Sequence, residues 1–202
     1  IERFEIYCYY NNTIEDDVTE SIKAQAEHWR DIHKLSDVDV VNQIIEDDID
    51  ILVDLTGHTG DNRLAVFTYR PAPIQVTWLG YPNTTGLSEM DYRLTDEQAD
   101  PDGVSDSYNS EQLIRLPHGF LCYLGDDTID YMHELPFKKN SYITFGSFNN
   151  LRKVTPQVIT VWANILKAVP ESRLLLKCKQ FLNEGTKTMV LTQFKKHGAH
   201  SA

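Results

Sequence analysis

Between Arg70 and Asp96 the chain reads RPAPIQVTWLGYPNTTGLSEMDYRLTD. Pro71 and Pro73 fix two backbone φ angles and remove two N–H donors, which holds the chain extended on the approach to Ile74. Ile74–Leu79 is then a short apolar, β-branched and aromatic run that predicts a buried strand. Gly80 ends it, and Tyr81-Pro82-Asn83-Thr84-Thr85-Gly86 predicts a rigid loop rich in hydroxyls and amides. In an open parallel α/β sheet, ligands bind outside the carboxyl ends of the strands. The loop from Tyr81 to Gly86 stands where such a fold places its binding chemistry.

The flanking sequence supplies the rest of such a sheet. Phe4–Tyr10 predicts a strand, and Glu15–Trp29 an amphipathic helix with Val18, Ile22, Ala26 and Trp29 on one face. Asp31–His33 predicts a short strand. Ser36, with Asp39 three residues on, predicts a capped helix start, and Val38, Val41, Ile44 and Ile45 its buried stripe. Asp50–Leu55 is almost continuously apolar, as expected of a parallel strand covered on both faces. Thr56-Gly57-His58-Thr59-Gly60 is the loop at its carboxyl end. A short helix over Asn62–Tyr69 and a strand over Met90–Leu94 complete a doubly wound pattern.

Leu113–Leu116 predicts one more strand, after which residues 117–140 show little periodicity and read as a linker. A second alternation follows: a strand over Tyr142–Phe148, then a helix capped by Thr155 with Pro156 at its first position. Val158, Trp162, Ile165 and Leu166 are expected to face inward. A strand over Arg173–Cys178 and a helix over Glu184–His197, stopped by Gly198, end the chain. The expected organisation is an N-terminal lobe over residues 1–118, a linker over 119–140 and the start of a second lobe over 141–202.

Composition excludes several function classes. The formal net charge of −11 repels nucleic-acid phosphates over most of the surface and leaves no basic stripe to bind them. No apolar run approaches the ~20 residues of a membrane span, so neither nucleic acid nor membrane is an expected partner. Residues from Ile1 onward read as strand rather than as a signal peptide. Cys8, Cys122 and Cys178 form no disulfide framework and no zinc spacing, which predicts a reducing compartment, cytoplasmic or nuclear. There is no phosphate-binding glycine loop, no metal-ligand cluster and no serine nucleophile elbow.

Several residues remain as candidates for chemistry, each with a plainer alternative. His58 either lines a cleft or is a loop histidine satisfied by nearby backbone. Gly80 either lets a ligand approach the backbone closely or simply ends a strand. Arg63 and Arg70 are either cleft cations or partners in surface and interdomain ion pairs. Arg152 and Lys153, after the Tyr142–Phe148 strand, are either a ligand-facing pair or a solvated one.

Two stretches carry a resemblance that bears on these alternatives. RPAPIQVTWLGYPNTTG with DYRLTD after it, and ITFGSFNNLRKVTPQVITVWANILKAVPESRLLLK at Ile143–Lys177, resemble the nucleocytoplasmic protein O-glycosyltransferases: the O-GlcNAc transferases and, more closely, the plant SPINDLY type. The two matches lie in family order. The resemblance implies an α/β chain of two Rossmann-like lobes, the GT-B glycosyltransferase type, with the second lobe unfinished here. It implies transfer of N-acetylglucosamine from UDP-N-acetylglucosamine to serine or threonine of intracellular proteins, with no cofactor and no metal. A SPINDLY-type transfer of fucose from GDP-fucose is the alternative, and a truncated, inactive interaction module a further one.

By the same resemblance Leu79, Gly80 and Tyr81 bring backbone to the donor sugar, Asn150 and Lys153 contact the nucleotide-sugar, and Lys153 is the catalytic cation. His58, Thr59, Arg63 and Arg70 line the cleft. Some family members carry Tyr at the position of His58, which favours positioning over an obligatory base. The family's tetratricopeptide repeats, upstream histidines and downstream nucleotide-binding turn have no counterpart in these residues. The 202-residue chain is therefore expected to be a catalytic fragment, inactive alone.

Overall fold

The computed structural model describes residues 3–125 and 134–199, in two compact units, Ile1–Gly125 and Asp126–Ala202. The division falls inside the stretch read as a linker. Of that stretch, residues 126–133 lie outside the described residues, and Pro136–Asn140 is helical (α4).

The first unit holds two parallel sheets. Tyr7–Tyr10 (β1) pairs with His28–Asp31 (β2), Cys8 opposite Trp29. Ile51–Asp54 (β3), Ile74–Thr77 (β4), Tyr92–Thr95 (β5) and Gln112–Arg115 (β6) form a sheet in simple sequential order, every pair parallel. The helix α1 spans only Asp17–Lys23, capped by Asp16, which accepts from Thr19 N at 2.9 Å. The apolar spacing over 15–29 is thus divided: Trp29 joins a strand, and Val18 and Ile22 are exposed. A backbone ladder with β1 takes the place of the extra helical turns, because pairing gives the β1-facing N–H and C=O groups of β2 partners that those turns would otherwise have supplied. The predicted strand at 31–33 accordingly ends at Asp31.

Helix α2, Asp37–Glu46, starts at Ser36 as its sequence predicts: the Ser36 hydroxyl accepts from Asp39 N and donates to the Asp39 carboxylate at 2.6 Å. Its buried face is Val40, Val41 and Ile44, whereas Val38 and Ile45 are exposed, so the inward stripe is rotated from the predicted one. These side chains join Leu52 of β3 and Leu64 and Phe67 of α3, Leu64–Phe67, in the main core. The helical layer lies on the Leu52 face of β3. Ile51 and Val53 point the other way and are 46% and 43% exposed, so among the described residues β3 is covered on one face, not on both.

Gln75 of β4 is fully buried, and its amide donates to Phe67 O at 2.9 Å and Glu89 O at 2.8 Å. It ties the end of α3 to the long connection between β4 and β5. Strand β6 follows a single 3₁₀ turn at Asp106–Tyr108.

In the second unit Thr144–Ser147 (β7) pairs in parallel with Arg173–Leu176 (β8). Helix α5, Pro156–Ala168, is capped by Thr155 as predicted, and α6, Glu184–Lys196, ends before Gly198, whose φ is +75°. Ile159 and Ala163 of α5 meet Val190 and Phe194 of α6 in the core, with Trp162 packed beside them. Ile165 is exposed instead of inward: burial against α6 follows the 159–163 diagonal, one residue away from the predicted stripe.

Candidate functional site

The loops at the carboxyl ends of β3 and β4 are built around one buried carboxylate. Asp54, the last residue of β3, accepts from Thr56 N at 3.0 Å, from Gly57 N at 3.0 and 3.1 Å, and from the Thr77 hydroxyl at 2.7 Å. A carboxylate offers about four lone-pair directions, and these donors fill them. Asp54 thus folds the loop from Thr56 to Gly60 back over the end of β4. Gly57 is in the left-handed region, φ +55°, and a Cβ there would stand 2.4 Å from Tyr81 Cβ. No L side chain satisfies both conditions, so a glycine is required where the two loops cross.

On β4's side, Trp78 is held by its indole N–H to Phe120 O at 2.8 Å. Leu79 takes φ +69°, an uncommon left-handed conformation for a branched side chain. Gly80 then runs so close to the preceding loop that a Cβ would lie 2.1 Å from Leu55 O and 2.8 Å from Thr56 Cα. The close approach that Gly80 permits is therefore to the chain's own backbone. Tyr81 is 40% exposed and meets His58 edge to face, ring centroids 5.4 Å apart. His58 is exposed, with its Nε2 3.2 Å from Thr84 O. Thr59 closes its own turn by donating to Thr56 O at 2.9 Å. His58, Thr59, Leu79, Gly80 and Tyr81 thus lie on two mutually packed loops.

The far end of the second loop rests on Glu111, the residue before β6. It is buried, and its carboxylate accepts from Thr85 N at 2.7 Å, the Thr84 hydroxyl at 2.8 Å and the Thr85 hydroxyl. Burial acts to raise the pKa of Glu111, but the bonds from Thr85 and Thr84 outweigh it and hold the group below its ordinary value. Nothing in the sequence near Glu111 signals this role, since its partners are 26 residues away. Asp54 was not singled out either, although an acid closing an apolar strand two residues before Thr-Gly is a signal that could have marked it.

The two arginines are engaged within the first unit. Arg63 donates to Asp37 Oδ1 at 2.6 Å, Asn11 Oδ1 at 3.1 Å, Ile32 O at 3.1 Å and Leu35 O at 3.0 Å. Arg70 donates to Glu89 O at 2.8 Å and to Asp91 Oδ1 at 2.7 Å. In addition, an open cavity of about 430 Å³ at the carboxyl ends of β5 and β6 is lined by Asp96, Gln98, Arg115, Pro117, His118 and Gly119, none of which the sequence singled out.

In the second unit, Asn150 caps and Lys153 ends the 3₁₀ turn Leu151–Lys153 that follows β7. Asn150 Oδ1 accepts from Arg152 N at 3.0 Å and Gln180 Nε2 at 3.2 Å, which leaves its amide N–H groups as outward donors. Lys153 is exposed and forms no ion pair or side-chain hydrogen bond among the described residues. Among those residues no three His, Cys, Asp or Glu side chains are grouped to hold a metal ion, and no helix is long and apolar enough to cross a membrane.

Residues 1–139 match the sequence pattern of glycosyl transferase family 41. The chain belongs to that family. Its relatives include the probable UDP-N-acetylglucosamine–peptide N-acetylglucosaminyltransferases SPINDLY of Solanum lycopersicum and Oryza sativa subsp. japonica. The first is 49% identical over 81% of this chain and the second 54% identical over 76%. The Arabidopsis thaliana relative named SEC is 36% identical over 87%. The chain spans 18%, 16% and 19% of those relatives, less than a fifth of each. A solved structure of a lysine-to-methionine mutant of Thermobaculum terrenum O-GlcNAc transferase superposes on 97% of this chain, and on 37% of its own, with a TM-score of 0.88 at 36% identity. The family 41 chain is thus mixed α/β with parallel sheets, of the GT-B glycosyltransferase type.

Proposed function

We propose that this chain is catalytic-region polypeptide of a protein O-glycosyltransferase, which moves N-acetylglucosamine from UDP-N-acetylglucosamine to serine and threonine hydroxyls of cytoplasmic and nuclear proteins without a metal. The observation that supports this most is the family match over residues 1–139. In this reaction the acceptor oxygen bonds the anomeric carbon while the bond to the diphosphate breaks, the hydroxyl proton passes to solvent, and UDP departs with one added negative charge. In this reading Leu79, Gly80 and Tyr81 bring backbone to the donor sugar, and His58 and Thr59 border it. The N–H groups of Asn150 hold the nucleotide-sugar, and the Lys153 ammonium stabilises the leaving diphosphate. Arg63 and Arg70 act one step back, by fixing the segments that carry the two loops.

The resemblance to the SPINDLY type keeps GDP-fucose as the alternative donor, although the SPINDLY relatives, like SEC, are named for UDP-N-acetylglucosamine. The test is incubation of the longest natural form of the protein with each radiolabelled donor and an acceptor protein. Label transferred from UDP-N-acetylglucosamine supports the first donor and label from GDP-fucose the second. Transfer from neither, by folded protein, refutes the reading. Lys153→Ala is expected to lower kcat about a hundredfold with a smaller change in donor KM, because the cation acts as charge develops. Unchanged kcat in a folded variant would remove Lys153 from the chemistry.

A further inference from the structure

His58 contacts a group that can only accept. Its Nε2 lies 3.2 Å from the carbonyl oxygen of Thr84, and a carbonyl has no proton to give. The neutral ring must therefore carry its proton on Nε2, which leaves the Nδ1 lone pair as an acceptor. Among the described residues nothing donates to Nδ1, and the side chain is exposed at the crossing of the two loops. Tyr81 meets the ring edge to face and restricts its rotation.

The position of the Thr84 carbonyl is set from below. Thr84 donates its hydroxyl to the buried Glu111 carboxylate and accepts on the same oxygen from Gly86 N at 3.1 Å and Ser110 N at 3.2 Å. Thr85, next in the chain, gives Glu111 both its N–H and its hydroxyl. Glu111 is 4% exposed, and among the described residues the loop groups that hydrogen-bond its carboxylate come from these two threonines. It fixes two consecutive residues, and with them the peptide plane that presents Thr84 O to His58.

We infer that Glu111 is a positioning residue that holds His58 as the Nε2–H tautomer, so that Nδ1 accepts a hydrogen bond from a hydroxyl group of the bound substrate. The ligand half of this rests on the glycosyltransferase reading, and the hydroxyl belongs either to the donor sugar or to the acceptor side chain. Direct general-base chemistry by Glu111 is not part of it, because the carboxylate is buried and its oxygens are taken by Thr84 and Thr85.

Long-range ¹H–¹⁵N spectra of imidazole-labelled chain at about pH 8.5, where an ordinary histidine is neutral, read the tautomer without any activity. The expected wild-type result is His58 wholly Nε2–H. Glu111→Gln, which replaces an acceptor of three bonds by a group with one oxygen and a competing donor, is expected to give a mixture of both tautomers. Should Glu111→Gln fail to fold, Thr85→Val removes one donor to the carboxylate and is expected to give a smaller shift in the same direction. An Nδ1–H histidine in the wild type, or an unchanged tautomer in the folded variants, overturns the positioning role.

The ligand is tested with His58→Gln, which retains an N–H for Thr84 O but carries its acceptor as an amide oxygen away from the Nδ1 position. A rise in donor KM of about tenfold, the loss of one hydrogen bond to the substrate, assigns the hydroxyl to the sugar. The same rise confined to the acceptor peptide assigns it to the acceptor. No change in either overturns the contact. A wild-type protein that uses no nucleotide-sugar refutes the functional reading and the ligand with it, while the spectra still decide the positioning.

Discussion

Gly80→Ala is the substitution on which the packing of the two loops turns. The added methyl would sit 2.1 Å from Leu55 O, 2.6 Å from Leu55 C and 2.8 Å from Thr56 Cα. Ordinary contacts need well over 3 Å, and all three neighbours are backbone, so no rotamer change relieves the overlap. One of the two strand ends must move. Overpacking of this kind costs about 1–3 kcal/mol and more where the neighbours are rigid, so about 3 kcal/mol is expected. For a unit of 125 residues each kcal/mol lowers Tm by ~3–5 °C, a fall of about 10 °C. Displacement of β4's end would also move Leu79 and Tyr81, so donor affinity should fall together with stability. Gly60→Ala is the control: nothing lies within 4 Å of its added Cβ, and its Tm should stay within ~2 °C of wild type. Thermal unfolding followed by circular dichroism measures both. A Gly80→Ala variant as stable as Gly60→Ala would refute the steric argument.

Further outcomes follow from individual contacts. Arg63→Ala removes a half-buried guanidinium bonded to Asp37, Asn11 and two carbonyls; it should cost ~2–3 kcal/mol in urea denaturation, with little change in kcat. Thr155→Ala, which deletes the hydroxyl cap of α5, should cost ~1 kcal/mol, read as a lower denaturation midpoint of the second unit. Asp47 accepts from Arg30 at 2.7 and 3.1 Å, and that bond, against a smaller opposing effect of burial, lowers its pKa. A depressed carboxyl pKa gives stability that is fully present above its unfolded value, near 3.9, and lost as pH falls through the folded value. The acid limb of unfolding, below about pH 4, should therefore be shallower in Asp47→Asn, as measured by midpoints at pH 7 and pH 3.

The parallel sheets, the helix caps at Ser36 and Thr155 and the stop at Gly198 were legible because each rests on local chemistry. The two crossing loops were legible as loops, from Thr-Gly and Gly-Tyr-Pro. The buried polar anchors around them were not. Glu111 and Gln75 act across 26 and 14 residues, and no local pattern distinguishes a buried polar anchor from a solvated one. The helix over 15–29 was overestimated for a related reason: Trp29 satisfies a helical period and a strand pairing equally well, and only the partner strand decides. The inward stripes of α2 and α5 were each misjudged by about one residue, since periodicity fixes a helix's spacing but not its rotation against a neighbour.

The sequential strand order has a consequence for how such a chain is made. Paired strands are close in sequence: Ile51 pairs with Ile74, Val76 with Tyr92 and Tyr92 with Gln112. The loops closed are thus 23, 16 and 20 residues long by subtraction. Tyr7 with His28 and Thr144 with Arg173 close 21 and 29. Loop-closure entropy grows only slowly with length, yet parallel sheets are usually slow to form because their partners are distant. Here β2, β4, β5, β6 and β8 each find their partner already made as they leave the ribosome, one short crossover behind. At about 5–20 residues per second, the delay between partners is about 1–6 seconds. The sheet can lengthen one strand at a time during synthesis, and its growing edge is open only until the next strand arrives.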